Sequence, residues 1–241
     1  MNQALSKSAP RSAKPRAAPE AKAKPRGKAG AKPALAAPAP TRSKTPNEVR
    51  LIGGQLRRSK LPVADKPGLR PTPDRVRETL FNWLGAEMSG WRCLDAFAGS
   101  GALGFEAASR GAAEVLLLER DAGLVQSLRT SQQRLKVENL RVEACDALVW
   151  MARCAPARFE LVLLDPPFDA DLLPRALALA APMLVEGGLV YAEAPEALSA
   201  PELPAGLAVF KHGRAGSVHY HLLRRSSSTP SDQRTPARRP T

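Results

Sequence analysis

From residue 91 onward, short apolar runs alternate with helix-compatible stretches. The apolar runs are WRCLDAF, EVLLLE, LRVEA, ELVLLD and GLVYAE. This alternation is typical of a parallel β-sheet with helices on both faces, because each parallel connection crosses back over the sheet. Two further runs, LAVFKH and SVHYHLL, are separated by the turn GRAG, which predicts a hairpin. We therefore expect an α/β fold with a seven-stranded, mostly parallel sheet whose last strand is antiparallel.

A smaller unit precedes this sheet. The stretch VRLIGGQLRRSKLPV has apolar runs on either side of Gly53 and Gly54, which predicts a small β-hairpin. The next stretch, LRPTPDRVRETLFNWL, has apolar residues at helical spacing. Thr72 is its expected N-cap, and Pro73 occupies the first helical position.

The formal charge of +13 is concentrated at the two ends of the chain. Residues 1–46 carry a net charge of +10 and residues 224–241 a net charge of +4, whereas residues 47–223 carry −1. Both ends are rich in small, polar and basic residues, so we predict disordered basic tails around one domain. Their role stays open between a nonspecific phosphate-binding arm, a solubilising tail, an upstream start codon and, less well supported, an organelle transit peptide.

Several protein classes are excluded by composition. The three cysteines have no CxxC spacing and only three histidines accompany them, so neither a disulfide framework nor a metal site is expected. No apolar run approaches the roughly 18 residues that span a bilayer, and no secretory signal is present. These patterns predict a cytoplasmic protein without a membrane segment.

A basic cluster lies inside the nearly neutral domain. Eight Lys or Arg and two Asp fall between Arg50 and Arg77. This segment is interpreted either as an RNA- or DNA-facing surface or as a solvated helix face. The candidate nucleic-acid contacts are Arg57, Arg58, Lys60, Arg70 and Arg75.

The first strand of the predicted sheet is followed by the glycine-rich turn LDAFAGSGALG. Gly99, Gly101 and Gly104 match the GxGxxG spacing, which lets the backbone turn sharply and brings a ligand against a helix N-terminus. Glu119 ends the next strand, where a carboxylate can accept hydrogen bonds from two ribose hydroxyls. These features fit a nicotinamide dinucleotide as well as S-adenosylmethionine.

The fourth strand ends in the sequence Asp165-Pro166-Pro167-Phe168. Strand carboxyl ends are where open α/β sheets bind their ligands. Two successive prolines remove backbone donors, so Asp165 and the Pro166 carbonyl can together accept the two hydrogens of an exocyclic amine. Phe168 offers a flat face for base stacking. This arrangement favours methyl transfer to an amino group over dinucleotide chemistry.

The blocks IGGQLRRSKLPV, GLRPTPDRVRETLFNWL, LDAFAGSGALGFEAASRGA and LLDPPF, spread over residues 48–223, resemble the bacterial 16S ribosomal RNA guanine-N2 methyltransferases, the RsmD family. The resemblance implies a class I, Rossmann-like methyltransferase fold with residues 47–90 facing RNA and residues 91–223 as the catalytic core. It also implies S-adenosylmethionine as cofactor and one guanine of 16S ribosomal RNA, within an assembling small ribosomal subunit, as substrate.

The resemblance assigns roles to individual residues. The methionine amino group is assigned to Asp95, the ribose to Glu119, and the adenine amine to Asp146, with Glu143 as an alternative for Asp146. The implied cofactor-binding residues are Asp95, Phe97, Gly99, Gly101, Glu119 and Asp146. The implied amine clamp consists of Asp165, Pro166 and Phe168.

Rival functions differ in what they leave unexplained. A nicotinamide-dependent oxidoreductase would not explain the DPPF segment. A non-enzymatic nucleic-acid-binding module would not explain the cofactor glycines and Glu119. Methyltransferases of adenine N6, cytosine N4 or a glutamine amide remain open, because the clamp recognises only an amine. The sequence does not determine the oligomeric state, for which a monomer is the expectation.

Overall fold

The computed structural model describes residues 48–66, 69, 71–168 and 172–226. The strands are β1 (Glu48–Arg50), β2 (Lys60–Pro62), β3 (Arg92–Asp95), β4 (Glu114–Glu119), β5 (Leu140–Ala144), β6 (Phe159–Leu164), β7 (Leu184–Ala194), β8 (Leu207–Ala215) and β9 (Val218–Arg225). The α-helices are α1 (Asp74–Leu84), α2 (Ala102–Ser109), α3 (Ala122–Leu135), α4 (Ala147–Met151) and α5 (Leu172–Met183), and a 3-10 turn spans Ala200–Glu202.

Seven strands form the main sheet in the order β5-β4-β3-β6-β7-β9-β8. The first five pair in parallel, while β9 lies between β7 and β8 and is antiparallel to both. The predicted sheet with a reversed last strand is confirmed. The chain builds outward from β3 to β5 and then returns to β6, so the strand order reverses between β3 and β6, where α/β sheets hold ligands.

Helices cover both faces of this sheet, which explains why its strands read as continuous apolar runs. In β4, Val115 and Leu117 pack into the core on the side of α1, α2 and α3. Leu116 and Leu118 pack into the core on the side of α4 and α5. Every residue between the two ends of β4 is therefore buried.

The terminal hairpin and the C-terminal boundary differ slightly from expectation. β8 continues to Ala215, which pairs with Val218, so the turn consists of two residues rather than the four of GRAG. β9 continues to Arg225, two residues into the segment expected to be a tail. The predicted tails, 1–46 and the remainder of 224–241 after residue 226, lie outside the described residues. Within the described part of the chain, no helix is long and apolar enough to cross a membrane.

The predicted N-terminal hairpin is confirmed by the antiparallel pairing of β1 with β2. Its connecting loop packs on the C-terminal half of α2. The amides of Ile52 and Gly53 donate to Glu106 at 2.9 and 2.7 Å. Gly54 has φ +69°, and a Cβ there would lie 1.8 Å from the carbonyl oxygen of Ser109. The glycine pair is thus required for close packing against α2 as well as for the turn.

The predicted capping of α1 by Thr72 is wrong. Helix α1 begins at Asp74, Pro73 is its N-cap residue, and no side chain caps it. The hydroxyl of Thr72 instead donates to Glu193 at 2.9 Å, in a site where Thr72 is buried. A buried acceptor from a distant strand has replaced the local cap, which sequence spacing could not reveal.

The basic segment also contains one residue that does not face solvent. Arg77 is completely buried, and its guanidinium lies 3.6 Å from the equally buried Glu106. It also donates to the carbonyls of Thr72 and Arg50 at 3.2 and 2.9 Å. Arg110 donates to the other oxygen of Glu106. This ion cluster joins the hairpin, α1 and α2.

We expect Glu106→Gln to lower the free energy of unfolding by about 3 kcal/mol or more, because it removes the buried carboxylate beside Arg77 and leaves that buried guanidinium paired with the exposed Asp74. Urea unfolding followed by circular dichroism measures this loss. Glu48→Gln is the matched control, since Glu48 pairs with Lys60 at the exposed surface and such pairs contribute about 1 kcal/mol or less. Equal losses in the two variants would contradict the anchoring role of Glu106.

Candidate active site

A cleft of about 910 Å³ opens at the carboxyl ends of β3, β4 and β6. It lies where the strand order reverses, between β3 and β6. Eight of the nine residues predicted for the cofactor and the clamp line it, namely Asp95, Phe97, Gly99, Glu119, Asp146, Asp165, Pro166 and Phe168. The ninth, Gly101, lies at the start of α2. The tertiary structure therefore brings together residues that are up to 73 positions apart in the sequence.

The glycine-rich turn is shaped by contacts that exclude side chains. Gly101 has φ +79° and is the N-cap residue of α2, and a Cβ there would lie 2.6 Å from Leu128. A Cβ on Gly104 would lie 2.7 Å from Leu117 in β4. Gly99 also has a positive φ, +52°. The three glycines therefore allow both the turn and the close packing of α2 on the sheet.

Glu119 is held in place by two backbone amides. One carboxylate oxygen accepts from Gly99 and the other from Asp121, each at 2.9 Å. Each oxygen keeps a further lone pair, because a carboxylate oxygen can accept two hydrogen bonds. Glu119 is half-buried at the end of β4. It is therefore a pre-positioned acceptor at the cleft wall.

Two acids follow β5, and the structure separates them. Asp146 lines the cleft and caps α4 by accepting from the amide of Val149 at 2.9 Å. Glu143 instead accepts from the indole N–H of Trp150 at 2.8 Å and does not line the cleft. This placement favours Asp146 over Glu143 as the adenine contact.

The clamp segment follows β6. Leu164 pairs with Ala192 in the parallel register, so Asp165 and Glu193 come next on adjacent strands. Burial, followed by the charges of Glu193 and Asp95, raises the pKa of Asp165 well above its usual range. Phe168 is 47% exposed at the mouth of the cleft, so its ring is free to meet a base.

Asp95 is almost fully buried at the end of β3. One of its oxygens accepts from the amide of Gly104 at 3.0 Å. Burial is the main cause that raises the pKa of Asp95 to about 7, and the charge of Glu119 acts in the same direction. At neutral pH a negative charge on Asp95 is therefore costly in the ligand-free protein.

Four polar residues stand out among the cleft residues that the sequence did not predict. Thr72 and Glu193 form a buried hydrogen-bonded pair there, and Lys66 and Arg120 are basic residues of the lining. Glu193 could have been found from the sequence, because it ends the apolar run GLVYAE. Glu119 and Asp165 end the runs EVLLLE and ELVLLD in the same way. Thr72 gave a misleading signal, since its spacing favours a helix cap.

The four predicted nucleic-acid contacts that the structure describes do not line the cleft. Arg57 and Arg58 are exposed in the loop that packs on the C-terminal half of α2, whereas the cleft lies at its N-terminus. Lys60 is exposed in β2 and paired with Glu48. Arg75 is exposed in the first turn of α1. The fifth candidate, Arg70, lies outside the described residues.

The three histidines lie on β8 and β9, outside the cleft lining. His212 stacks on His219 and His221 at centroid distances of 5.2 and 4.6 Å. Burial lowers the pKa of His221 to about 4. Among the described residues, no group of three His, Cys, Asp or Glu side chains could hold a metal ion.

The raised pKa of Asp95 predicts a pH-dependent stability. The folded state binds this proton more tightly than the unfolded state, so its contribution falls as pH rises from about 4 to about 7. Asp95→Asn keeps the acceptor for Gly104 without the charge. We therefore expect the ligand-free variant to be more stable than the parent at pH 8, by on the order of 2 to 4 kcal/mol.

This difference should become small near pH 4, where the parent carboxyl is protonated in the folded state and about half protonated in the unfolded state. Urea unfolding of both proteins at the two pH values measures it. A difference independent of pH would mean that Asp95 titrates normally in the folded protein.

Comparisons with known proteins identify the family of this chain. Residues 49–224 match the family model described as Conserved hypothetical protein 95. The chain is 43% identical over 187 residues to the ribosomal RNA small subunit methyltransferase D of Escherichia coli strain K12, with 77% of this chain and 94% of that protein covered. It is 40% identical to the protein of the same name from Haemophilus influenzae, with 74% of this chain and 96% of that protein covered.

The fold agrees as well. The solved structure of yhhF from Escherichia coli superposes with a TM-score of 0.67 at 42% identity, covering 74% of this chain and 98% of that one. The family model spans well over half of the chain, and the relatives are matched over nearly their whole length. The chain therefore belongs to the Conserved hypothetical protein 95 family, the RsmD-like class I methyltransferases.

Proposed function

We propose that this protein methylates the exocyclic N2 amine of one guanine in 16S ribosomal RNA, with S-adenosylmethionine as the methyl donor. The observation that carries the proposal is the opening of the Asp165 segment into the cleft formed by the glycine-rich turn and Glu119. Relatives that are 40 to 43% identical are named as small-subunit ribosomal RNA methyltransferases, which supports ribosomal RNA as the substrate.

The cleft residues fit this cofactor. Gly99 lines the cleft without a side chain, and Gly101 begins α2, so the N-terminus of that helix lies beside the cleft. Glu119 provides oriented acceptors for ribose hydroxyls, and Asp146 lies where an adenine amine can donate to it. Asp95 would hold the methionine ammonium, whose positive charge offsets the cost of a buried carboxylate.

The protein's own contribution to catalysis is positioning and charge stabilisation. When bound, S-adenosylmethionine supplies an electrophilic methyl group on a positively charged sulfur. Asp165 and the Pro166 carbonyl accept the amine hydrogens, which counters delocalisation of the nitrogen lone pair into the base. Phe168 stacks on the base, and Asp165 takes the proton that the amine loses. These groups hold the amine in place for displacement.

The alternative substrates share the same amine chemistry. An exocyclic amine of adenine or cytosine also presents two hydrogens, so the clamp by itself accepts either base. The relatives support ribosomal RNA, and the further choice of guanine N2 rests on the sequence motifs described above. We extend the proposal to a monomeric cytoplasmic enzyme that acts on an assembling small subunit, with the exposed Arg57, Arg58 and Arg75 contacting RNA phosphates.

The first prediction of this proposal concerns cofactor affinity. Glu119→Ala should weaken S-adenosylmethionine binding by about 2 to 3 kcal/mol, the scale of a charge-assisted interaction, because it removes two carboxylate acceptors. Isothermal titration calorimetry measures the change. Glu143→Ala is the matched control, since that exposed acid lies outside the cleft and its loss should leave affinity unchanged. Unchanged affinity in Glu119→Ala would remove Glu119 from the cofactor site.

The second prediction concerns the clamp. Asp165→Ala should slow methyl transfer by roughly 100-fold or more, because it removes an acceptor that strengthens as charge develops on the nitrogen. Affinity for S-adenosylmethionine should stay close to that of the parent. Single-turnover kinetics with excess enzyme separate the two quantities. A near-normal rate in the variant would rule out the amine clamp.

The substrate is tested by mapping modified nucleosides. We expect 16S ribosomal RNA from cells that lack this protein to have lost one N2-methylguanine, and small-subunit particles from those cells to regain it with the purified protein. Mass spectrometry of nuclease fragments identifies the base and its position. Appearance of N6-methyladenine or N4-methylcytosine instead would select the alternative function.

A further inference from the structure

The carboxyl of Glu193 lies beside the clamp and is not used by the chemistry described above. Asp165 and Glu193 follow the paired residues Leu164 and Ala192, so both side chains project from the same face of the sheet. Glu193 lines the cleft although it is only 5% exposed. The two carboxyls are therefore neighbours at the position where the target amine is clamped.

One oxygen of Glu193 is already committed to the protein. Oε1 accepts from the hydroxyl of Thr72 at 2.9 Å and from the phenol of Tyr191 at 2.8 Å. No donor among the residues that the structure describes bonds to Oε2. The two donors fix the orientation of the side chain, and the second oxygen is left to face the cleft.

The edges of the candidate bases differ next to the amine. Guanine carries a donor, N1–H, beside its 2-amino group, whereas adenine N1 and cytosine N3 beside their amines are acceptors. A carboxylate oxygen attracts the guanine donor and repels the lone pair of the other two bases. An acceptor at this position therefore separates guanine from the substrates that the clamp alone would admit.

We propose that Glu193 determines base specificity, with its Oε2 accepting the N1–H of the target guanine while Asp165 accepts from the N2 amine. This proposal rests on the proposed guanine-N2 activity and names the part of the site that selects guanine. Thr72 and Tyr191 act as positioning residues, because they touch Glu193 and orient its carboxyl.

The electrostatics of the cleft agree with this assignment. Burial raises the pKa of Glu193, and the hydrogen bonds from Tyr191 and Thr72 oppose the rise. The charged groups of the neighbouring strand ends are Asp165 and Asp95, both acidic. Two acceptors held close together in a buried place are unfavourable until donors reach them. The N1–H and N2–H groups of guanine are such donors.

The structure also predicts what an amide would do at this position. In Glu193→Gln, the two donors keep the amide oxygen at the place of Oε1, so the amide N–H2 takes the place of Oε2 and faces the cleft. A donor at this position repels the N1–H of guanine, whereas it can form a hydrogen bond with a base that has a lone pair at N1. 2-Aminopurine is such a base, because it keeps the 2-amine and has an unprotonated N1.

The test compares guanine with 2-aminopurine at the mapped target position, in small-subunit particles reconstituted with ligated 16S RNA. For the parent we expect kcat/KM to favour guanine by at least about 100-fold, and in Glu193→Gln we expect this ratio to fall at least tenfold. A second readout needs no cofactor: 2-aminopurine fluorescence should report tighter entry of that base into the pocket of the variant.

Two variants serve as controls. Glu186→Gln makes the same change at the exposed start of β7 and should keep the parent ratio. Tyr191→Phe removes one positioning donor but keeps the carboxylate, so it should lower kcat while still preferring guanine. Thermal unfolding of each variant verifies that it is folded.

The outcomes separate the two proposals. A parent protein that forms no N2-methylguanine overturns the proposed function. A parent that methylates guanine, together with a folded Glu193→Gln variant of unchanged base preference, overturns the role of Glu193 alone and leaves Asp165 to read both guanine donors.

Discussion

Three carboxyl groups at the ends of three adjacent strands set the electrostatic character of the cleft. Asp95 ends β3, Asp165 follows β6 and Glu193 is the next-to-last residue of β7, and burial raises the pKa of each one. A sheet edge with this many buried acids needs positive charge or hydrogen-bond donors from its ligands. S-adenosylmethionine, with its sulfonium and ammonium groups, and the donor edge of the proposed guanine substrate meet that need together.

The N-terminal segment depends on a second buried charge. Glu106 binds the hairpin loop through Ile52 and Gly53 and faces Arg77 of α1. Arg77 in turn donates to the carbonyl of Thr72, whose hydroxyl donates to Glu193 in the cleft. The ion cluster that attaches the hairpin to α2 is thus connected, by two hydrogen bonds, to the residue proposed to select the base. The small N-terminal unit and the cleft are therefore joined by a continuous set of hydrogen bonds.

Much of the architecture could be predicted because it follows from local patterns. Apolar runs of strand length, separated by helical stretches, allow few arrangements other than a parallel sheet with two covered faces. The glycine turn and the strand-ending acids also have a local cause, since glycine spacing and strand ends are visible in the sequence. Predictions about individual side chains were less successful. Arg77, which was counted within the basic segment, is buried. Thr72 donates a hydrogen bond to Glu193 in a distant strand and does not cap α1.

The sequence by itself determined the class of fold and the positions of the glycine-rich turn and of the Asp165 segment, because each is encoded within a few consecutive residues. Only the tertiary structure decided that Glu193 stands beside Asp165, that Asp146 rather than Glu143 faces the cleft, and that Thr72 donates to Glu193 in the cleft lining. These placements depend on strand register and on long-range hydrogen bonds between residues such as Thr72 and Glu193, 121 positions apart. Spacing along the chain does not show which distant residues strand pairing brings into contact.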